Sequence, residues 1–264
     1  MFKAPLSLKS ARVLISNDDG INASGLKRLE AIAGKLFNDV WVVAPETEQS
    51  ATGHSLTLRN PLRLKNVGNQ RFSVSGTPTD CVLLAVNHIM KDCPPDLVLS
   101  GINMGSNVGE DMTYSGTIAA AMEATLLGIP AIALSQCIEV EDGGTGRVTW
   151  TAADAYVPKV IEKLTSVSWP RDVMMNINIP GVPRKKVTGI EITREGRRKL
   201  GDKIVEGMDP RGTPYYWIGA QWTSRDFPKG TDLEAILRGA VSITPLSLDL
   251  THRPIMRKLS KLFE

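Results

Sequence analysis

Two adjacent carboxylates, Asp18 and Asp19, stand in the stretch SNDDG directly after the apolar run RVLIS. Where a buried strand ends, two desolvated like charges disfavour each other's ionised form, so the pair needs a cation, a helix N-terminus or water as partner. Two later polar segments bring more oxygen donors. APETEQSATGHS offers the hydroxyl of Ser50, and SGINMGSNVGEDMTYSGT the side-chain oxygen of Asn103. Together these make an all-oxygen set that suits a hard cation such as Mg²⁺ or Mn²⁺ far better than structural zinc. Adjacent strand residues point to opposite faces, so both aspartates reach one ion only where the chain leaves extended geometry, a freedom Gly20 supplies. The competing reading has one aspartate capping the next helix or satisfying loop amides while the other is solvated.

The segment YSGTIAAAMEA places Ser115, Gly116 and Thr117 at a helix start. Unpaired amides and the macrodipole there favour an anion, and two hydroxyls add hydrogen bonds. A plain N-cap, or small residues permitting close packing, accounts for the same residues. A cation site beside an anion site would hold a phosphate ester between them. Of three histidines, His88 falls within a helix and His252 near the tail. His54, in ATGHS, is placed where an acid or a substrate contact would be useful, the alternative being a hydrogen bond that fixes its loop.

The elements that must position these residues alternate in type. RVLIS, VWVVAP, DLVLSG and PAIALSQ read as buried strands. GLKRLEAIAGKLF, with Ser24 as its cap, TPTDCVLLAVNHIM and SGTIAAAMEATLLG read as helices between them. That order predicts a parallel, doubly wound sheet with crossover helices. The three polar loops then share its carboxyl edge, where ligands bind at the switch in strand order. SLTL, LRLKN and RFSVSG look like shorter, partly antiparallel strands. AADAYVPKVIEKL reads as a helix with a candidate kink at Pro158, EVEDGGTGR as a surface loop, and DVMMNINIP as another core strand. We expect one domain over 1–264, with a core over 1–186, a protruding aromatic hairpin arm over 187–230, and a returning strand and tail over 231–264.

Composition narrows the class. With 42% apolar and 22% charged residues in 264, the chain has the balance of a soluble globular protein and enough length for a sizeable core. A net charge of +3 is too slight for a nucleic-acid polymer as partner. REGRRKLGDK, the densest basic patch, reads first as a solvated loop or hairpin. Cys81, Cys93 and Cys137 form no CxxC and leave one thiol over in any pairing, which suits a reducing cytoplasm. No secretory signal is evident, and no window reaches the ~18 apolar residues of a membrane span. GxxxxGK[ST], GxGxxG after the first strand, HExxH and GxSxG are all missing, which argues against P-loop and serine-hydrolase chemistry.

SNDDGINASG, VVAPETEQSATGHSLTL, VSGTPTDCV, DLVLSGINMGSNVGEDMTYSGTIAAAMEA and GTDLEAILRGAVSITPLSLDLT together resemble the SurE family of stationary-phase survival proteins, from about Arg12 to Thr251. The resemblance implies a Rossmann-like core and hydrolysis of nucleoside 5′- and 3′-monophosphates, with some trimming of short polyphosphate. It also implies one divalent ion per subunit, held by Asp18, Asp19, Ser50 and Asn103, and a dimer or tetramer in which the arm and C-terminal segment exchange between subunits. Many relatives carry Gly and Asn where this chain has Ala51 and His54, which bears on base and ester preference.

The mechanism that follows is metal-assisted attack of water on a phosphomonoester, with Asp18 or Asp19 taking the water's proton. Asn107, Ser115, Gly116 and Thr117 then hold the remaining phosphate oxygens. An aspartyl-phosphate route fits adjacent aspartates poorly, because such enzymes space the pair by one residue. A non-catalytic nucleotide sensor on the same fold is the alternative from another class.

Overall fold

β1 (Arg12–Ser16) is buried from Val13 onward, the continuous apolar pattern of a strand covered on both faces. Val13 and Ile15 face one core and Leu14 the other, as period two requires. The computed structural model describes residues 1–140, 146–198, 203–219 and 226–263. After β1 comes α1 (Ser24–Leu36), which buries Leu26, Leu29, Ile32 and Ala33 along one stripe. β2 (Asp39–Pro45) pairs parallel with β1. β3 (Leu64–Gly68) and β4 (Arg71–Val74) form an antiparallel pair, and β4 runs parallel to β2.

α2 (Pro78–Leu84) opens with Thr77 as cap, Pro78 in the first turn and a reciprocal bond from Asp80, and its end widens into a π-turn over Ala85–Ile89. β5 (Leu97–Met104), α3 (Gly116–Leu126) and β6 (Ala131–Gln136) extend the parallel sheet. The two-residue strands β7 (Glu139–Val140) and β8 (Gly146–Arg147) lead to α4 (Thr151–Thr165) and β9 (Val173–Ile179). The last elements are β10 (Gly189–Ile192), the hairpin strands β11 (Lys203–Met208) and β12 (Pro214–Gly219), α5 (Asp232–Leu237), β13 (Ala240–Ser247) and α6 (Arg253–Phe263).

The main sheet has nine strands in the order β10-β13-β9-β6-β5-β1-β2-β4-β3, parallel from β9 to β4. α1 and α4 cover one face, α2 and α3 the other. This is the expected α/β architecture, mostly parallel and doubly wound. The order reverses between β1 and β5, so the loops leaving those strands diverge and open a crevice at the carboxyl edge.

Several local expectations are corrected. Ser24 does not cap α1; Ala23 holds that position without a side-chain bond, and Ser24 is the first helical residue. SLTL is not a strand, because its polar groups are taken by the start of α2: Thr57 donates to Asp80, and Ser55 accepts from the Thr77 hydroxyl. Pro158 lies inside α4, and the helix runs through it. β10 pairs with β13 in the main sheet, so the departing arm begins after Ile192 rather than at 187. The arm is the separate antiparallel pair of β11 and β12, with Tyr215, Tyr216, Trp217 and Ile218 exposed. Residues 141–145 of EVEDGGTGR and 199–202 of REGRRKLGDK lie outside the described residues. α6, which the sequence reading left as tail, buries none of its residues. Among the described residues, no helix is long and apolar enough to cross a membrane.

Candidate active site

The chain turns sharply after β1. Gly20 adopts φ +95°, and a side chain there would meet the Thr47 carbonyl carbon at 3.2 Å. The loop is stitched to the one after β2 by Ile21 N–H donating to Pro45 O (2.8 Å) and Gln49 N–H to Asp18 O (2.8 Å). Asn17, buried beside the aspartates, donates to Gly20 O at 3.1 Å. These bonds turn Asp18 inward while Asp19 stays half-buried at the rim.

Asp18 points at the start of α3. Its Oδ1 accepts from the Thr117 hydroxyl at 2.5 Å. Burial raises its pKa above the ordinary carboxylate value, and the Thr117 hydroxyl together with the Gly116 and Thr117 amides partly offsets this. The hydrogen-bond donors expected to meet a phosphate are therefore shared with Asp18. Gly116 is required here: a Cβ would stand 2.6 Å from Asp18 Cβ and 3.0 Å from Pro78 Cγ.

Asp19 has its pKa pushed up to about 6, first by burial, then by Asp18, with a smaller push from Glu48 against the Met104 amide. That amide donates to Asp19 Oδ2 at 3.4 Å, which brings the end of β5 to the aspartates. Asn103 precedes it, half-buried, with Nδ2 donating to Gly105 O at 3.0 Å. Ser50 completes the ring of loops, donating to Glu48 Oε1 at 2.8 Å. Asp18 and Asp19 after β1, Ser50 after β2 and Asn103 at the end of β5 thus stand on segments joined through hydrogen bonds to the aspartates, with Glu48 adding negative charge beside Asp19.

Among the described residues, no group of three or more His, Cys, Asp or Glu is placed to hold a metal. The expected donor set contains only two such residues, with a hydroxyl and an amide oxygen for the rest. Among the described residues no cation figures among the influences on either aspartate, while Asp18 and Glu48 both act on Asp19. A donor set of oxygens carrying uncompensated negative charge fits a divalent cation.

The remaining expected residues are placed differently. Ser115 caps α3, its hydroxyl accepting from Ile118 N–H at 3.1 Å. Asn107 is buried in a polar network: Nδ2 donates to Ser135 Oγ (2.8 Å), its amide to Asn178 Oδ1 (2.8 Å), and its carbonyl accepts from Asn176 (2.8 Å) and Asn178 (3.0 Å). This network anchors the loop after β5 onto β6 and β9. His54 is paired with Glu123 on α3, with Nε2 2.8 Å from Glu123 Oε2.

Sequence reasoning missed Glu48, Glu123, Asn176, Asn178 and Asp232. Asp232 is fully buried at the start of α5; one oxygen accepts from Gly109 N–H (2.8 Å), the other from Gly196 (2.7 Å) and Leu233 (2.8 Å). It ties the loop after β5 to the base of the arm, beside a buried ion pair of Arg198 with Asp111. The one available signal was the polar alternation in MNINI, which breaks an otherwise apolar strand.

The profile of the family described as "Survival protein SurE" matches residues 13–202. The chain belongs to the SurE family. It is 59% identical over 254 residues to a protein of Paramagnetospirillum magneticum named "5'-nucleotidase SurE", covering 96% of both chains. A protein of the same name from Rhodospirillum rubrum is 54% identical over the full length of both. The crystal structure of the SurE protein of Aquifex aeolicus superposes with a TM-score of 0.83 at 38% identity, covering 96% of this chain and 100% of that one. The family likeness thus extends beyond sequence to the fold.

Proposed function

We propose that this SurE-family chain is a metal-dependent 5′-nucleotidase, a hydrolase that cleaves nucleoside 5′-monophosphates, and 3′-monophosphates as well, to nucleoside and phosphate. The observation that carries this reading is the juxtaposition of Asp18 and Asp19, with no cationic side chain of the described residues acting on them, and the N-terminus of α3. Asp18, Asp19, Ser50 and Asn103 would hold one Mg²⁺ or Mn²⁺. Such an ion supplies Lewis-acid charge to a phosphate oxygen and offsets the negative charge of the transition state.

The chain's own residues do the rest. Asp19, at the rim, accepts the proton of the attacking water, since burial and its neighbours bring its basicity close to that of an effective general base. Asp18, held by Thr117, fixes the geometry of the pair. Ser115, Gly116 and Thr117 present the positive end of α3 to the phosphate, and Asn107 braces the loop on the other side.

The chain works as one domain that self-associates. Exposed aromatics on the β11–β12 arm and an α6 with no buried residue supply apolar surface for a dimer or tetramer. Three free cysteines suit a reducing cytoplasm. Phosphate release from a panel of nucleoside monophosphates and short polyphosphate, with and without chelator, tests the reading. Metal-dependent release from nucleotides supports it; binding of nucleotide with no release over a long incubation overturns it in favour of a sensor.

A further inference from the structure

We infer that His54, oriented by Glu123, is the general acid that protonates the departing nucleoside oxygen, a role that rests on the phosphomonoester hydrolysis proposed above. Asp19 accounts for the proton lost by water. The leaving oxygen also needs one, because a sugar alkoxide departs poorly without it.

The geometry singles out one nitrogen. His54 Nε2 lies 2.8 Å from Glu123 Oε2, and an ionised carboxylate only accepts, so Nε2 carries a hydrogen and Nδ1 is the nitrogen left for a substrate. The Glu123 side chain is 10% exposed and that of His54 31%, so the imidazole is the more open partner of the pair. Glu123 comes seven residues after Gly116, two helical turns and about 10 Å along α3, hence on the face that Gly116 turns to Asp18. Helical side chains lean toward the N-terminus. The His54 loop is pinned at that same end, with Gly53 N–H donating to Tyr114 O at 3.0 Å. Nε2 is the far nitrogen of the ring, so Nδ1 lies nearer the loop backbone. A carboxylate that sets the tautomer of a histidine and turns its second nitrogen toward the reacting atoms is the division of labour found in hydrolase triads.

The step balances. The water oxygen bonds to phosphorus as the bond from phosphorus to the nucleoside oxygen breaks, and that bond's electron pair leaves with the oxygen. Asp19 takes a proton from the water. The imidazolium Nδ1–H gives its proton to the departing oxygen, and exchange with solvent resets both groups. The products are nucleoside and hydrogen phosphate.

Asparagine donates a hydrogen bond but has no proton to give up, so His54→Asn isolates the transfer. The test compares kcat of the metal-loaded wild type, His54→Asn and Glu123→Gln on a nucleoside 5′-monophosphate and on p-nitrophenyl phosphate, whose leaving group departs without a proton. We expect His54→Asn to lose about 10²-fold on the nucleotide, the low end for general-acid catalysis, and at least about tenfold less than that on the aryl ester. Glu123→Gln moves the same ratio in the same direction by a smaller factor. Equal losses on both esters would make His54 a loop latch and overturn the proposal, as would no loss at all. Misfolded protein scales both rates alike and leaves the ratio untouched. A wild type inactive on both esters would instead sink the phosphomonoesterase reading itself.

Discussion

Asp18 and Gly116 touch across the crevice: a methyl group on Gly116 would sit 2.6 Å from Asp18 Cβ. The carboxylate can lie against the helix start only because residue 116 has no side chain. Gly116→Ala should therefore displace Asp18 and lower kcat/KM on nucleotides by about 10²-fold, the scale of loss from an ångström of misplacement. The stability cost should be about 1–3 kcal/mol, as for an overpacked contact. Steady-state kinetics and urea unfolding measure the two; wild-type kcat/KM in the variant would contradict the contact's importance.

Asp18 is a buried carboxylate with a raised pKa, so its charge weighs against the metal-free fold. Asp18→Asn should melt higher than wild type in chelator, because the charge is gone while one oxygen remains to accept from Thr117. The order should reverse with divalent ions present. An ion at 100 times its Kd stabilises the native protein by about 2.7 kcal/mol, and the variant forgoes most of this. Melting curves with and without Mn²⁺ decide it.

Asp19→Asn should lower kcat by about 10²–10⁴-fold if it removes the base. The expected signature is a loss in kcat larger than any rise in KM, read from progress curves at saturating metal. A folded Asp19→Asn variant with full activity would remove Asp19 from the mechanism.

Cys137 has its thiol pushed up to about 12 by burial. Well below that value it stays protonated in the folded protein, and its burial shields it from alkylation. Iodoacetamide at pH 8 should label Cys93, which is partly exposed, and spare Cys137 and buried Cys81 until denaturant is added. Peptide mass spectrometry reads this directly.

Asp232→Ala would strand three buried N–H donors, those of Gly109, Gly196 and Leu233. Unpaired buried donors cost about 1–3 kcal/mol each, so a loss of about 3 kcal/mol or more is expected in urea unfolding. Asp232→Asn, which keeps one acceptor, should lose less.

The parts of this protein legible in the sequence are those set by local pattern. β1, β2, β5 and β6 announce themselves as apolar runs, and the helix starts at Thr77 and Ser115 by their capping chemistry. The three polar loops follow from the parallel topology. What escaped depends on contacts distant in the chain. Glu123 looks like an ordinary helix residue until the loop 69 positions earlier folds onto it. SLTL has the alternation of a strand, but Asp80 and Thr77 claim its polar groups. α6 has an amphipathic pattern following DLT, yet none of the described residues buries its apolar stripe, so pattern alone does not separate it from tail.

β13 lies between β9 and β10, so a strand that begins at Ala240 is wedged between neighbours made much earlier in the chain. During synthesis, β9 must wait as an open border until Ala240–Ser247 emerges, because its neighbour on that side does not yet exist. Bare strand borders recruit other chains. A ribosome that stalls or terminates before Ala240 should thus release a sticky, aggregation-prone product, even though every residue of the crevice would already have been translated.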